Sequence, residues 1–434
     1  MCCLGYQDFD LPLVHASSEY KIVGKTGKLS LGRFMPEYSV DSRFKYLIYS
    51  RAFRSVAIIY MSLAFSLYLA ALHIEIIGIG IISGLAMLFM IFLTMILGFI
   101  GDRHGYRTEL LCAEFVALIG ALLIGISSNV AYIIAGMVIA GIGGGAGGLR
   151  GAFSPGTNAF IANNYTDQKD RVRRYSYVTL VGALASIGGS ILFASVSPLS
   201  AFVGLLDSYK ILFLVSAAML AASLVSIAML ADGKRPKKTT IVMKRASINY
   251  SAKVIATNIL GGMGTGIAIP LLPLWLELSY GATALDIGIV FTALYLAIAL
   301  GSYFSSKIAH SMDTLNVAAY TRLLSGALLF AMAFSPTLVI AAVLYLMRGA
   351  LAGFGSPSRT TVNLRGIDVE DYGTATSAQG IAIRAGQLSS GLSGYLMDYS
   401  LPLPIFIGGA LQLASGVGYK ILFGKRGIKN RQKK

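Results

Sequence analysis

Residues 76 to 101 and 211 to 231 contain no charged side chain. Apolar runs of that length match the hydrocarbon core of a bilayer, roughly 30 Å thick, which a helix crosses in about 20 residues. Hydrophobic residues make up 55% of the 434 and charged residues 13%, with mean hydropathy +0.70. A water-soluble chain so composed lacks the polar area to cover itself. Disordered, collagen-like and disulfide-scaffold classes are excluded by the same composition. The net charge of +16 does not indicate nucleic acid, because the basic residues punctuate apolar spans and do not line a soluble face with stacking aromatics. Cys2, Cys3 and Cys112 build neither a disulfide framework nor a metal site, and no cofactor is expected. Residues 1 to 45 lack the apolar core of a signal peptide. Met35, just before the apolar region, is an alternative start that N-terminal sequencing decides.

The expected fold class is an all-α polytopic membrane protein. Apolar runs read against Gly, Pro and charge breaks predict twelve spans: 51 to 72, 77 to 100, 109 to 127, 131 to 152, 175 to 196, 209 to 231, 251 to 276, 285 to 309, 316 to 335, 337 to 356, 374 to 396 and 401 to 423. The chain has 49 glycines, with a run at Gly143, Gly144, Gly145, Gly147 and Gly148. They read as surfaces for close helix contact within lipid. No Gly-Lys-Ser/Thr follows, so a phosphate loop is not supported.

Positively charged connections stay on the cytoplasmic side. Thirty of the 36 Lys and Arg fall in the N-terminal region, alternate connections and the C-terminal tail, against Lys210 alone in the opposite connections. Both termini are therefore expected in the cytoplasm of the cell membrane. The domains predicted are a tail (1–50), a six-helix bundle (51–231), a basic linker (232–250), a second six-helix bundle (251–423) and a basic tail (424–434). The linker carries Lys234, Arg235, Lys237, Lys238, Lys244 and Arg245, which anchor it to anionic lipid heads. The halves repeat: Gly98 and Gly301, Ser154-Pro155 and Ser356-Pro357, and Ser176 and Ser377 recur at separations of roughly 200 residues. Duplicated six-span units characterise alternating-access carriers, whose solute site lies between the repeats.

Between spans 2 and 3 stands Gly98-Phe99-Ile100-Gly101-Asp102-Arg103-His104-Gly105-Tyr106-Arg107. This G-x-x-x-D-R-x-G-x-R string resembles the signature loop of the major facilitator superfamily and occurs where that family places it. Gly98 permits close helix contact, Gly105 a tight turn, and Asp102 can accept hydrogen bonds from a helix N-terminus or an arginine. The resemblance implies that Asp102 latches the cytoplasmic side to the start of span 11, with Arg103 and Arg107 securing the loop. The second copy, Gly301-Ser302-Tyr303-Phe304-Ser305-Ser306-Lys307, has Ser305 in the acid's place. The span-4 arginine of some members is vacant near Met137, and the span-5 Gly-Pro pair of drug/proton antiporters is replaced by Ser186-Ile187-Gly188-Gly189. Both absences weaken a drug-efflux reading.

Ionisable residues within a bilayer cost several kcal/mol unless paired or wetted. Arg348 lies about 15 Å from the outer end of span 10 and Arg384 about as far from the inner end of span 11, both close to the midplane. They are candidates for meeting an anionic solute group in a fork, against a structural reading in which backbone carbonyls satisfy them. Gln379, Gln387 and Asn258 are further candidate solute ligands. Glu114 and Arg150 are candidate coupling residues, and their mutual pairing is the plainer expectation. Arg51 and Arg54 read as anchors or as partners of Asp102 or Glu114. Pro270 and Pro273 predict a kink in span 7.

The implied activity is secondary transport of a small solute, an anionic organic one being the reading that Arg348 and Arg384 favour, driven by a proton or other ion gradient. Lipophilic drug efflux, sugar transport and a non-transporting receptor or scaffold are the alternatives. An enzyme is not expected, since His15, His73, His104 and His310 are scattered. Membrane lipids are the expected partners, with no nucleic acid and a monomeric state.

Overall fold

The computed structural model describes residues 42–142, 153–165, 168–231, 244–308, 313–367 and 372–424. Among them are sixteen α-helices: α1 Ser42–Ala71, α2 Ile76–His104, α3 Tyr106–Ile126, α4 Val130–Ala140, α5 Phe153–Asn164, α6 Gln168–Ala194, α7 Val196–Val203, α8 Leu205–Ala228, α9 Arg245–Ala268, α10 Leu272–Tyr280, α11 Ala284–Ile308, α12 Thr314–Met332, α13 Leu338–Leu364, α14 Tyr372–Gln387, α15 Ser393–Tyr399 and α16 Leu403–Phe423. A 3-10 turn, Leu388–Leu392, joins α14 to α15.

Nine of these helices are long and apolar enough to cross a membrane, ten with the bent pair α9 and α10, where the sequence predicts twelve. The fourth and eleventh predicted spans account for the difference. α4 is only 11 residues long, and the glycine run at 143 to 148 lies outside the described residues. α14 gives way to the 3-10 turn after 16 residues. Two boundaries move as well. α1 begins at Ser42, inside the expected tail, and α13 runs to Leu364, eight residues past the expected end of its span. Arg359, beyond the expected end of its span, is therefore helical.

Local chemistry sets the helix ends. The Asn129 side chain caps α4 by accepting from Ala131 N at 2.9 Å, and Asp313 caps α12 from Leu315 N at 3.3 Å. The kink expected from Pro270 and Pro273 is present: α9 and α10 meet at 42°, because a proline ring removes a donor and clashes with the preceding turn. Pro357, within α13, frees the Gly353 carbonyl, which accepts from Ser302 Oγ of α11 at 3.3 Å.

The apolar core is divided unevenly along the helices. At the end away from the 231–244 connection, one cluster runs continuously from Tyr60, Tyr68 and Phe213 of the first half to Trp275, Phe291 and Tyr345 of the second. At the linker end the described residues form two separate clusters, one around Phe44, Phe153 and Phe160, the other around Val254, Val362 and Tyr419. Contacts between halves are made by α6 with α11, by α1 with α10, and by α2 with the 3-10 turn and α15. Glycines make this approach possible. A Cβ on Gly80 would fall 2.7 Å from Gly394 Cα, one on Gly84 2.8 Å from Gly391 Cα, and one on Gly288 2.5 Å from Ala194 Cβ.

Candidate functional site

Three groups of polar residues stand out within this apolar body: the loop between α2 and α3, a buried ion pair in the first half, and basic or amide side chains in the second.

The loop turns at Gly105, whose φ of +101° is open to glycine and strained for any other residue. Arg107 Nη2 donates to Ala228 O at 2.5 Å, tying the start of α3 to the last carbonyls of α8, where positive charge complements the helix dipole. Arg103 is exposed and stacks 5.2 Å from the Phe99 ring centre. The role expected of Gly98 is not observed: among the described residues nothing lies within 4 Å of its Cβ position. Close contact falls instead to Gly101, whose Cβ would meet the Glu109 carboxylate. Asp102 occupies the last turn of α2, and its side chain lies outside the described residues. Glu109, 2% exposed, also abuts Gly156 of α5, at 2.9 Å from that glycine's Cβ position. The signal that would have revealed it is its first-turn position, since a carboxylate there is favoured by the helix dipole.

Glu114 is fully buried and pairs with Arg54 of α1, itself 4% exposed. Arg54 also stacks 4.6 Å from the Phe153 ring centre of α5. Arg51, one turn earlier, packs its guanidinium against bare Gly182 of α6. Arg150, the partner favoured from the sequence, lies outside the described residues.

In the second half, Asn258, Gln379 and Gln387 are buried. Gln379 Nε2 donates to Asn363 O at 3.4 Å, and the backbone of Gln387 packs on Gly266 at the seam of α9 and α14. Arg384 is partly exposed and lies one turn beyond Gly380, around whose Cβ position nothing among the described residues stands within 4 Å. Arg348 lies 5.6 Å from the Tyr345 ring centre and three turns from Arg359 on the same face of α13. That face meets Thr321 of α12 at Gly355. Arg322 and Arg359 were not singled out by sequence reasoning, because each sits where a loop or span-end arginine is ordinary. Among the described residues no His, Cys, Asp or Glu group is arranged to hold a metal ion.

Two helical halves joined by one apolar cluster at one end, with an ion pair buried between apolar helices, are the geometry of a polytopic membrane protein. The chain belongs to the major facilitator superfamily, whose family model matches residues 50–391. No curated protein is significantly similar to it in sequence. Among solved structures it is similar to the POT family transporter PepTSo, at 10% identity and TM-score 0.69, over 89% of this chain and 98% of that one. A D-xylose-proton symporter aligns at 13% identity and TM-score 0.66, over 88% and 97%. The human organic anion transporter MFSD10 (TETRAN) aligns at 12% and 0.62, over 88% and 100%. At such identities the likeness is one of fold.

Proposed function

We propose that the chain moves a small anionic organic solute across the cell membrane by alternating access, as two six-helix bundles rock about a site between them. The observation that supports this reading best is the uneven core: one continuous apolar cluster at the end away from the linker and, among the described residues, two separate ones at the linker end. A rigid scaffold gains nothing from leaving half its length divided, whereas a carrier needs one end sealed and the other free to part. The excess of Lys and Arg puts the linker end on the cytoplasmic side.

Arg384 is the residue assigned to the solute's negative group. It is partly exposed beside the open face at Gly380, and its guanidinium forks onto carboxylate or phosphate. Glu114 is the carboxylate assigned to ion coupling. A proton arriving there cancels its charge and releases Arg54, changing how α1 is held to α3.

Counterflow in proteoliposomes tests the proposal, with a panel of carboxylates, phosphate esters, sugars and lipophilic cations, each with and without an imposed pH gradient. The expected result is exchange of an anion, with KM raised at least tenfold in Arg384→Gln. Transport of a sugar or a lipophilic cation with KM unchanged in that variant overturns the anion assignment. A Glu114→Gln variant that keeps its response to the pH gradient removes Glu114 from coupling.

A further inference from the structure

The two halves carry different charges at matched positions. α1 and α9 begin at Ser42 and Arg245, α3 and α12 at Tyr106 and Thr314. Counted from those starts, Arg54 and Thr257 are both thirteenth, and Glu114 and Arg322 both ninth. In the first half these two places hold a buried ion pair. In the second, Arg322 stands where the carboxylate would be, and its Nη2 donates to the backbone oxygen of Thr257 at 2.9 Å.

A second guanidinium lies close by. Arg359 Nη2 donates to Ala352 O at 2.8 Å, and its Nη1 lies on the face of α13 that meets Thr321, the chain neighbour of Arg322, at Gly355. Tyr419 of α16 links the two arginines. Its ring centre is 5.3 Å from the Arg322 guanidinium, and its hydroxyl lies 2.9 Å from Asn363 Oδ1 and 3.5 Å from Arg359 O. Bare Gly355 is what lets the cluster close up, since a Cβ there would collide with Thr321 Oγ1 and fall 2.9 Å from Arg359 Nη1.

Among the described residues neither Arg322 nor Arg359 meets a carboxylate. Carbonyls and a ring satisfy individual N–H groups without cancelling charge, and arginine does not deprotonate in proteins. Two like charges among apolar helices are costly without a counter-charge. Both residues keep intermediate exposure.

We infer that Arg322 and Arg359 form a binding site for a phosphate group at the linker end of the second half, between α12, α13 and α16. Phosphate fits better than a carboxylate. Its tetrahedral oxygens accept from two guanidinium forks at once, and its charge approaches that of the pair. Arg359 is five residues from the end of α13, about 8 Å of helix, but its guanidinium reaches back to Ala352 and Arg322 is ninth of the 19 residues of α12, so the site lies deeper than the headgroups. The phosphate comes from solution or from an anionic lipid drawn in from the leaflet.

Two arms separate these sources, each read as the thermal unfolding midpoint of the full-length protein. In the first, detergent-purified protein is titrated with inorganic phosphate at fixed ionic strength. In the second, in phosphate-free buffer, nanodiscs of zwitterionic phosphatidylcholine are compared with nanodiscs containing 30% anionic phosphatidic acid. The expected result is a saturable rise of roughly 3 °C or more in at least one arm. That rise is lost in Arg322→Gln/Arg359→Gln and reduced in Arg322→Lys/Arg359→Lys, which keeps the charge without the fork. A rise in the first arm assigns a soluble phosphate, and a rise confined to the second a lipid headgroup. No rise for the wild type in either arm, or an equal rise in the double Gln variant, overturns the inference. Equilibrium dialysis of wild-type protein against radiolabelled inorganic phosphate, and against a short-chain phosphatidic acid, needs no variant. Saturable retention of at least one of these probes is expected, and retention of neither overturns the inference.

Discussion

Gly80→Ala is expected to pry open the sealed end of the molecule. The new Cβ falls 2.5 Å from Gly394 N and 2.7 Å from Gly394 Cα, and ordinary contact begins at 3.4 Å. The atoms in the way are backbone, so relief requires α2 and α15 to separate by about 0.7 to 0.9 Å rather than a rotamer to turn. Overpacking of this kind costs roughly 1–3 kcal/mol. The cost applies only to the conformer in which α2 touches α15. At about 1.4 kcal/mol per decade, the ratio of sealed to parted states should fall roughly 5- to 150-fold. Spin labels at exposed Leu205 and Val339, near that end of each half, report the change by double electron–electron resonance in a variant lacking the three native cysteines. Gly418→Ala is the control, because its Cβ would meet only Thr257 Cγ2, at 3.9 Å. The reasoning is refuted if folded Gly80→Ala keeps the wild-type distance distribution, or if Gly418→Ala shifts it as much.

Further outcomes are expected. Glu114→Ala leaves Arg54 as an unpaired buried charge and should destabilise by about 3–5 kcal/mol, seen as a lower unfolding midpoint. Arg54→Leu/Glu114→Leu should recover most of that loss. Gly105→Ala forces a side chain onto φ +101°, a strain of about 1–3 kcal/mol, and should lower the midpoint correspondingly while Gly98→Ala leaves it unchanged. Asp102→Asn should insert and fold normally yet cut the initial transport rate; wild-type kinetics in that variant would remove Asp102 from gating.

The sequence alone determined that this chain lies in a bilayer, and where most of its helices run. Uncharged stretches of membrane length admit almost no other fate, and Pro270, Pro273 and Gly105 enforce their kink and turn through constraints of their own backbone. The loop of Asp102 was legible for the same reason: its residues are neighbours in the chain. Partnerships were not legible. That Arg54 meets Glu114, that Arg107 caps α8, and that Gly80 rather than Gly98 is the pressed glycine all depend on which helix faces are brought together. Helix phase, fixed by packing across the whole bundle, decides those faces. Eight residues of added helix, to Leu364, moved Arg359 out of a loop. Charge that reads as topology in the sequence becomes, in the tertiary structure, charge in need of a partner, because burial is a property of the assembled helices and not of any one segment.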